Sequence, residues 1–312
     1  MNKEEKIKEM LRIDAPLYIG SENILRASLS EQVTIVAYSG YPNSSLNGGR
    51  GQWYSTFVDG KNKKTEEQTQ KNREVFEQEV NRINKEGVPF FLTYTNLLYT
   101  DEELEDPDNL EPIRILIDNY MRYGVKNGVV FANHGIHSWV KGRSSGLLDT
   151  VCSCTAFFRE KPIPDEERLR MYRESATEYD LVILTPQDSV RPEILKSIKS
   201  KEKFYAIVNS LCSIDCNSYW HYFHISVENK KVLGSERFLK WYKDAQDKAA
   251  RFKGCPFDIE QGDLEMNVKM MHNVGIRNFK IGRQDPIQDK KYLSSLMPIL
   301  RKISPKEVIM AG

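Results

Sequence analysis

No stretch of the sequence holds the roughly 18 consecutive apolar residues that a membrane-crossing helix needs. Neither sign of charge is in excess, with 45 Lys and Arg against 44 Asp and Glu. That balance gives no overall positive field to hold nucleic acid or an anionic membrane, and leaves room only for a local basic patch. Cysteine is scarce and odd in number, five in 312 residues, which argues against a disulfide framework. The opening segment, MNKEEKIKEML, is charged throughout and lacks the apolar centre of a secretory signal. These absences lead to the expectation of a cytosolic protein, without a membrane partner, whose thiols are free, buried or metal-bound. Also missing are a GxGxxG fingerprint after any strand, the HExxH zinc motif and the GxSxG nucleophile turn. Their absence argues against the commonest dinucleotide-binding and peptidase signatures.

What is present is a globular composition: 40% hydrophobic residues, with 13 Phe, 15 Tyr and 4 Trp. Strand and helix patterns alternate along the chain. Strands are expected at Val33–Gly40, Val88–Asn96, Gly128–Gly135, Leu147–Phe158, Asp180–Pro186, Lys203–Asn209 and Arg277–Gly282, with Tyr222–Glu228 as a further candidate. Helices are expected at Lys3–Ile13, Thr65–Lys85, Leu110–Tyr123, Asp165–Glu178, Arg191–Ser200, Asp263–Asn273 and Gln288–Ile303. Such alternation implies parallel strands joined by right-handed crossovers. Seven or eight units in this length fit an α/β fold of the (β/α)8 TIM-barrel type, whole or distorted, with a doubly wound open sheet as the alternative. The barrel is expected to take up residues 1–312 as one domain, with a helical extension over about residues 1–30.

In such a barrel the site lies at the carboxyl ends of the strands. The residues near those ends are unusually polar: Tyr38, Tyr94, Asn133, His134 and Asn209 are candidates for hydrogen bonding or proton transfer. Arg50, Arg143 and Arg283 are candidates to grip a carboxylate or phosphate through their planar forks. Each of these types is also common as a turn residue, helix cap or surface charge. Taken together they suggest a polar pocket for a small anionic or hydroxylated ligand.

The cysteines carry the sharpest signal. Cys152 and Cys154 alternate within an expected strand, so both are expected on one side of it. Cys212 and Cys216 follow the strand ending at Asn209, and Cys255 sits in a GCP turn. Several thiolates gathered at one rim suit an iron–sulfur cluster or a zinc ion. His221 and His224 lie close enough in sequence to complete a zinc site. Buried free cysteine is also common, and is the plain reading of Cys152 and Cys154.

The segment KFYAIVNSLCSIDCNSYWHYFHIS, followed by VGIRNFKIGRQ, resembles the collagenase-like peptidases of family U32. DLVILTPQDSVRPEILKSI resembles the family's preceding strand and helix, and VPFFLTYTNLLYTDEELEDP an earlier segment. The resemblance runs from about Val33 to Ile303. Two departures stand out: Asn209-Ser210-Leu211-Cys212 lacks the glutamate usual before the cysteine loop, and Ile281-Gly282-Arg283 lacks an acidic residue often found in that strand. The resemblance implies a TIM-like barrel and a [4Fe–4S] cluster on Cys212, Cys216, Cys255 and Cys154, with Cys152 or a histidine as the alternative fourth ligand. It further implies oxygen-independent hydroxylation, or a related redox modification, of an aromatic or nucleobase-like substrate, with prephenate as co-substrate and a paired homologous subunit as partner. A hydrolase with a structural zinc and a non-catalytic partner subunit are the alternatives.

Overall fold

Eight parallel strands close into a barrel in the computed structural model, each hydrogen-bonded to the next in chain order and the last to the first. The structure describes residues 11–16, 33–47, 65–208, 218–232, 242–251, 264–281, 295–296, 298–300 and 302–303. The strands are β1 (Leu11–Pro16), β2 (Val33–Ser39), β3 (Phe90–Tyr94), β4 (Gly128–Phe131), β5 (Asp149–Cys152), β6 (Leu181–Ile183), β7 (Phe204–Ile207) and β8 (Asn278–Lys280). The described helices are α1 (Glu66–Lys85), α2 (Asp101–Leu104), α3 (Pro107–Tyr123), α4 (His134–Ser144), α5 (Asp165–Glu178), α6 (Pro186–Ser189), α7 (Pro192–Ser197), α8 (Ser218–Val232), α9 (Tyr242–Ala249) and α10 (Leu264–Asn273). Residues 295–296, 298–300 and 302–303, within the expected closing helix, are helical. The fold is therefore the (β/α)8 barrel expected from the alternation of elements.

Local chemistry sets the element boundaries. Thr65 caps α1 with a full capping box, its hydroxyl accepting from the Gln68 amide at 3.2 Å and the Gln68 side chain accepting from the Thr65 amide at 3.0 Å. Helix α3 begins earlier than the expected Leu110. Asp106 caps it, Pro107 pre-sets its first turn, and Gly124 ends it at φ 69°.

Three expectations are corrected. The helix expected over Lys3–Ile13 is not formed at its described end. Leu11–Pro16 is strand β1, paired with β2 through Leu11↔Val33 to Pro16↔Tyr38 and with β8 through Arg12↔Asn278 to Asp14↔Lys280. Without it the barrel would not close, so the extension of about 1–30 contains a barrel strand. Lys3 to Met10 lie outside the described residues. Tyr222–Glu228 belongs to helix α8 and not to a strand. Finally, the strand expected over Leu147–Phe158 stops at Cys152, because the Ser153 hydroxyl accepts from the Thr155 amide and turns the chain into a single 3₁₀ turn, Cys154–Phe157.

Strand alternation divides the buried residues into two cores. The outer one packs between sheet and helices; there Phe76 of α1 is wholly buried edge-to-face against Tyr41 at 5.0 Å and Phe90 at 5.5 Å. Burial of each such ring contributes roughly 1.5–3 kcal/mol. The inner core fills the barrel with Val36, Tyr38, Phe91, Val130, Val151, Leu181, Ile183, Tyr205 and Ile207. Arg12 enters this interior with its guanidinium 4.9 Å from the Phe91 ring centroid and 5.6 Å from that of Tyr205.

Candidate functional site at the carboxyl-end mouth

The inward positions at the carboxyl ends of β2 and β8 and the turn after β5 bring together Tyr38, Lys280 and Cys154. Tyr38 donates its hydroxyl to the Ile281 carbonyl at 2.6 Å, across the seam where the barrel closes. The Lys280 ammonium lies 3.2 Å from the Tyr38 ring centroid, and only 8% of the residue is exposed. A cation held over an aromatic face and largely shielded from water keeps a strong field for any ligand that reaches it. Burial pushes the Cys154 thiol up to about 11, and the nearby Lys280 charge opposes that rise. At neutral pH the thiol is thus protonated, and it becomes a ligand or nucleophile only when something displaces the proton.

Helix α8 lies across this face. Tyr219 and Tyr222 pack against the inner core, and the Tyr222 ring sits 4.9 Å from that of Phe158. Phe223 and Val227 pack on Ala245 and Ala249 of α9, and several polar ties reach segments that leave the carboxyl ends of strands. Asn96, just beyond β3, donates to the Ser226 carbonyl at 3.3 Å, and Ser226 Oγ accepts from the Leu97 amide at 3.2 Å. Asn229 donates to the Asn47 carbonyl at 3.2 Å, and Gln187 to Ser218 Oγ at 2.9 Å. Lys230 pairs with Glu103 of α2, with both side chains wholly buried. The mouth therefore has an aromatic cover.

The cysteine pair does not share a side, contrary to expectation. Cys152 ends β5 facing the outer core, where burial pushes its thiol up to about 12 and Ser175 of α5 opposes the rise. Cys154, beyond the Ser153 turn, faces the barrel interior.

The other candidates are distributed differently. Tyr94 points outward, away from the mouth, and donates its hydroxyl to the Asn109 carbonyl at 2.5 Å. Asn133 caps α4, accepting from the Gly135 amide at 2.8 Å. His134, on the outer side, is exposed, with Nδ1 2.6 Å from Glu178 Oε1. Arg143 sits on the surface, paired with Glu105 at 2.5 Å and stacked on the Trp139 ring at 4.9 Å. His221 and His224 lie on α8. Arg50, Asn209, Cys212, Cys216, Cys255 and Arg283 lie outside the described residues.

Sequence reading missed Lys280 and the aromatic face of α8. The signal for Lys280 was a cation at an inward position of the strand ending FKIG, two residues from Asn278 and flanked by the outward Phe279. A groove of about 580 Å³ lies elsewhere, against α7 and α10, lined by Pro192, Lys196, Met266 and Met270 among others. It is open and gathers no converging buried polar groups, so the mouth is the better candidate.

The fold and this mouth define a TIM-type barrel with a covered polar centre. No family model matches the chain, and no curated protein matches it. Among solved structures, the U32 peptidase Mk0906 is similar at 13% identity and a TM-score of 0.42, over 89% of this chain and 94% of that one. Among the described residues no helix is long and apolar enough to cross a membrane.

Proposed function

We propose that the chain is a barrel enzyme whose reaction centre is the carboxyl-end mouth, where Cys154 joins Cys212, Cys216 and Cys255 in holding a [4Fe–4S] cluster. The single observation that carries this reading is the turn at Ser153. It directs Cys154 into the barrel interior and leaves Cys152 on the far side of the wall. Cys154 thus stands among inner-core residues that include Ile207, at the end of the strand after which the sequence carries Cys212 and Cys216. The donor chemistry is that of thiolate sulfur: burial holds the Cys154 thiol protonated, the Lys280 charge opposes that, and a cluster iron would displace the proton.

When bound, such a cluster supplies one-electron redox capacity or a Lewis-acidic iron. The chain's own residues have separate tasks. Lys280 presents a fixed positive charge to an anionic or electron-rich substrate group. Tyr38, locked through its hydroxyl to Ile281, holds that ammonium in place. Tyr219 and Tyr222 offer aromatic faces and exclude water. This combination suits a small aromatic or nucleobase-like substrate, and the reaction class we assign is oxygen-independent hydroxylation or a related redox modification. Prephenate, a carboxylate, is a co-substrate that the Lys280 charge would accommodate.

The test is anaerobic purification of the full chain with iron, sulfide and zinc analysis and a visible spectrum. A brown protein with about four irons per chain is expected. A colourless protein whose metal content is the same with and without Cys154→Ser would overturn the reading.

A further inference from the structure

We propose that His134, His137 and Glu178 form a binding site for a divalent ion of the zinc class on the outer side of the barrel, bridging α4 and α5. His134 and His137 are three residues apart in the first turns of α4, so they share one face of that helix. Glu178 is the last residue of α5 and reaches between them. One ligand atom from each of the three lies within 4.8 Å of the other two. Glu178 Oε1 is 2.6 Å from His134 Nδ1 and 3.3 Å from His137 Nδ1. A tetrahedral zinc with bonds of about 2.0–2.2 Å separates its ligand atoms by about 3.4 Å, so a small outward movement of the exposed His134 ring admits the ion.

His137 is the second, independent observation. Its side chain is 2% exposed, and neither ring nitrogen has a partner in hydrogen-bonding geometry, although Nδ1 lies 3.3 Å from the Glu178 carboxylate. Leaving a buried imidazole without partners is unfavourable. Its neighbours explain its place but not its nitrogens: the Tyr179 ring lies 4.3 Å away and the Phe131 ring 5.4 Å. A metal bond satisfies the nitrogen that the protein does not. The rest of the surroundings agree. The far nitrogen of His134, Nε2, lies 3.4 Å from Ser138 Oγ, the kind of outer partner that orients a ligating histidine.

Electrostatics are mixed and close to balanced. The amino end of α4 and the side chain of Lys141 disfavour a cation. The carboxyl end of α5 and the Glu178 charge favour it. Two imidazoles and a carboxylate suit zinc, cobalt or nickel rather than calcium or magnesium. Because His134 is 70% exposed, three protein ligands leave a fourth position open to water. A bound ion ties the start of α4 to the end of α5. This site uses none of the groups at the barrel mouth, so it stands or falls independently of the cluster.

The test is a cobalt(II) titration of the full chain, stripped of metal, followed by zinc competition. The expected result is visible ligand-field bands from a site without sulfur, with zinc displacing cobalt. His134→Ala and Glu178→Gln, both at solvent-reached positions, should each weaken that binding by roughly 100-fold or more while circular dichroism stays unchanged. Thiolate sites report separately through a sulfur-to-cobalt charge-transfer band, which these variants should leave intact. The proposal is overturned if the sulfur-free bands do not appear, or if both variants bind cobalt as tightly as the parent chain.

Discussion

Lys230 of α8 and Glu103 of α2 form an ion pair from which water is wholly excluded. Glu103 is further anchored by accepting from the Thr100 amide at 2.9 Å. The pair fastens the helix that covers the mouth to the segment that follows β3. Removing one partner strands the other charge, so Lys230→Ala and Glu103→Ala should each cost about 3–5 kcal/mol. The double variant should cost clearly less than the sum. Urea denaturation of the four proteins checks this, and additive losses below about 1 kcal/mol would show the pair to be inert.

The same lysine predicts a pH dependence. Burial pulls the Lys230 ammonium down from 10.5 to about 8, against the opposing attraction of Glu103. Between those values the unfolded chain holds more protons at this site than the folded one. Stability from this group therefore rises with pH across that window, and the cost of burying the charge is greatest below pH 8. The difference in unfolding free energy between the parent chain and Lys230→Met should change along this slope. A difference that stays flat from pH 7.5 to about 10 would contradict the assignment.

Inside the barrel, Gly128 leaves room for Phe91. A Cβ there would stand 2.7 Å from a Phe91 ring carbon and 3.0 Å from the Asp149 carbonyl oxygen. Phe91 is itself held by the Arg12 guanidinium, so it has little freedom to retreat. Gly128→Ala should therefore destabilise by about 1–3 kcal/mol through overpacking. Thermal melts of this variant and of Gly142→Ala, where an added Cβ meets nothing within 4 Å, separate crowding from a general loss of glycine.

Tyr94 and Lys280 should part company. The Tyr94 hydroxyl is spent on the Asn109 carbonyl behind the sheet. Tyr94→Phe should cost about 1 kcal/mol of stability and leave turnover unchanged. Lys280→Met, at the mouth, should abolish turnover with folding retained. Steady-state kinetics beside chemical denaturation distinguishes the two outcomes.

Much of the barrel was legible in the chain because its buried strands are rich in β-branched and aromatic residues and its helices carry caps and glycine stops. Strand β1 was hidden because its inward Arg12 makes Leu11–Ile13 read as the end of a charged helix; the cation is stabilised by Phe91 and Tyr205, which only the closed barrel brings near. Helix α8 was misread from YFHISVE, whose β-branched and aromatic residues suggest a strand. Yet Tyr219, Tyr222, Phe223, Ser226, Val227 and Lys230 follow a helical period, and four of them are buried. The opposed orientations of Cys152 and Cys154 were beyond alternation alone, since a single serine side chain ends the strand between them.

The most direct test of the central claim is the iron content of two single variants purified without oxygen, Cys154→Ser and Cys152→Ser. With Cys154 facing the mouth and Cys152 facing the helices, the first should lose most of its iron and its visible absorption. The second should retain both at the level of the parent chain. Equal iron in the two variants, or loss confined to Cys152→Ser, would contradict a cluster at the barrel mouth.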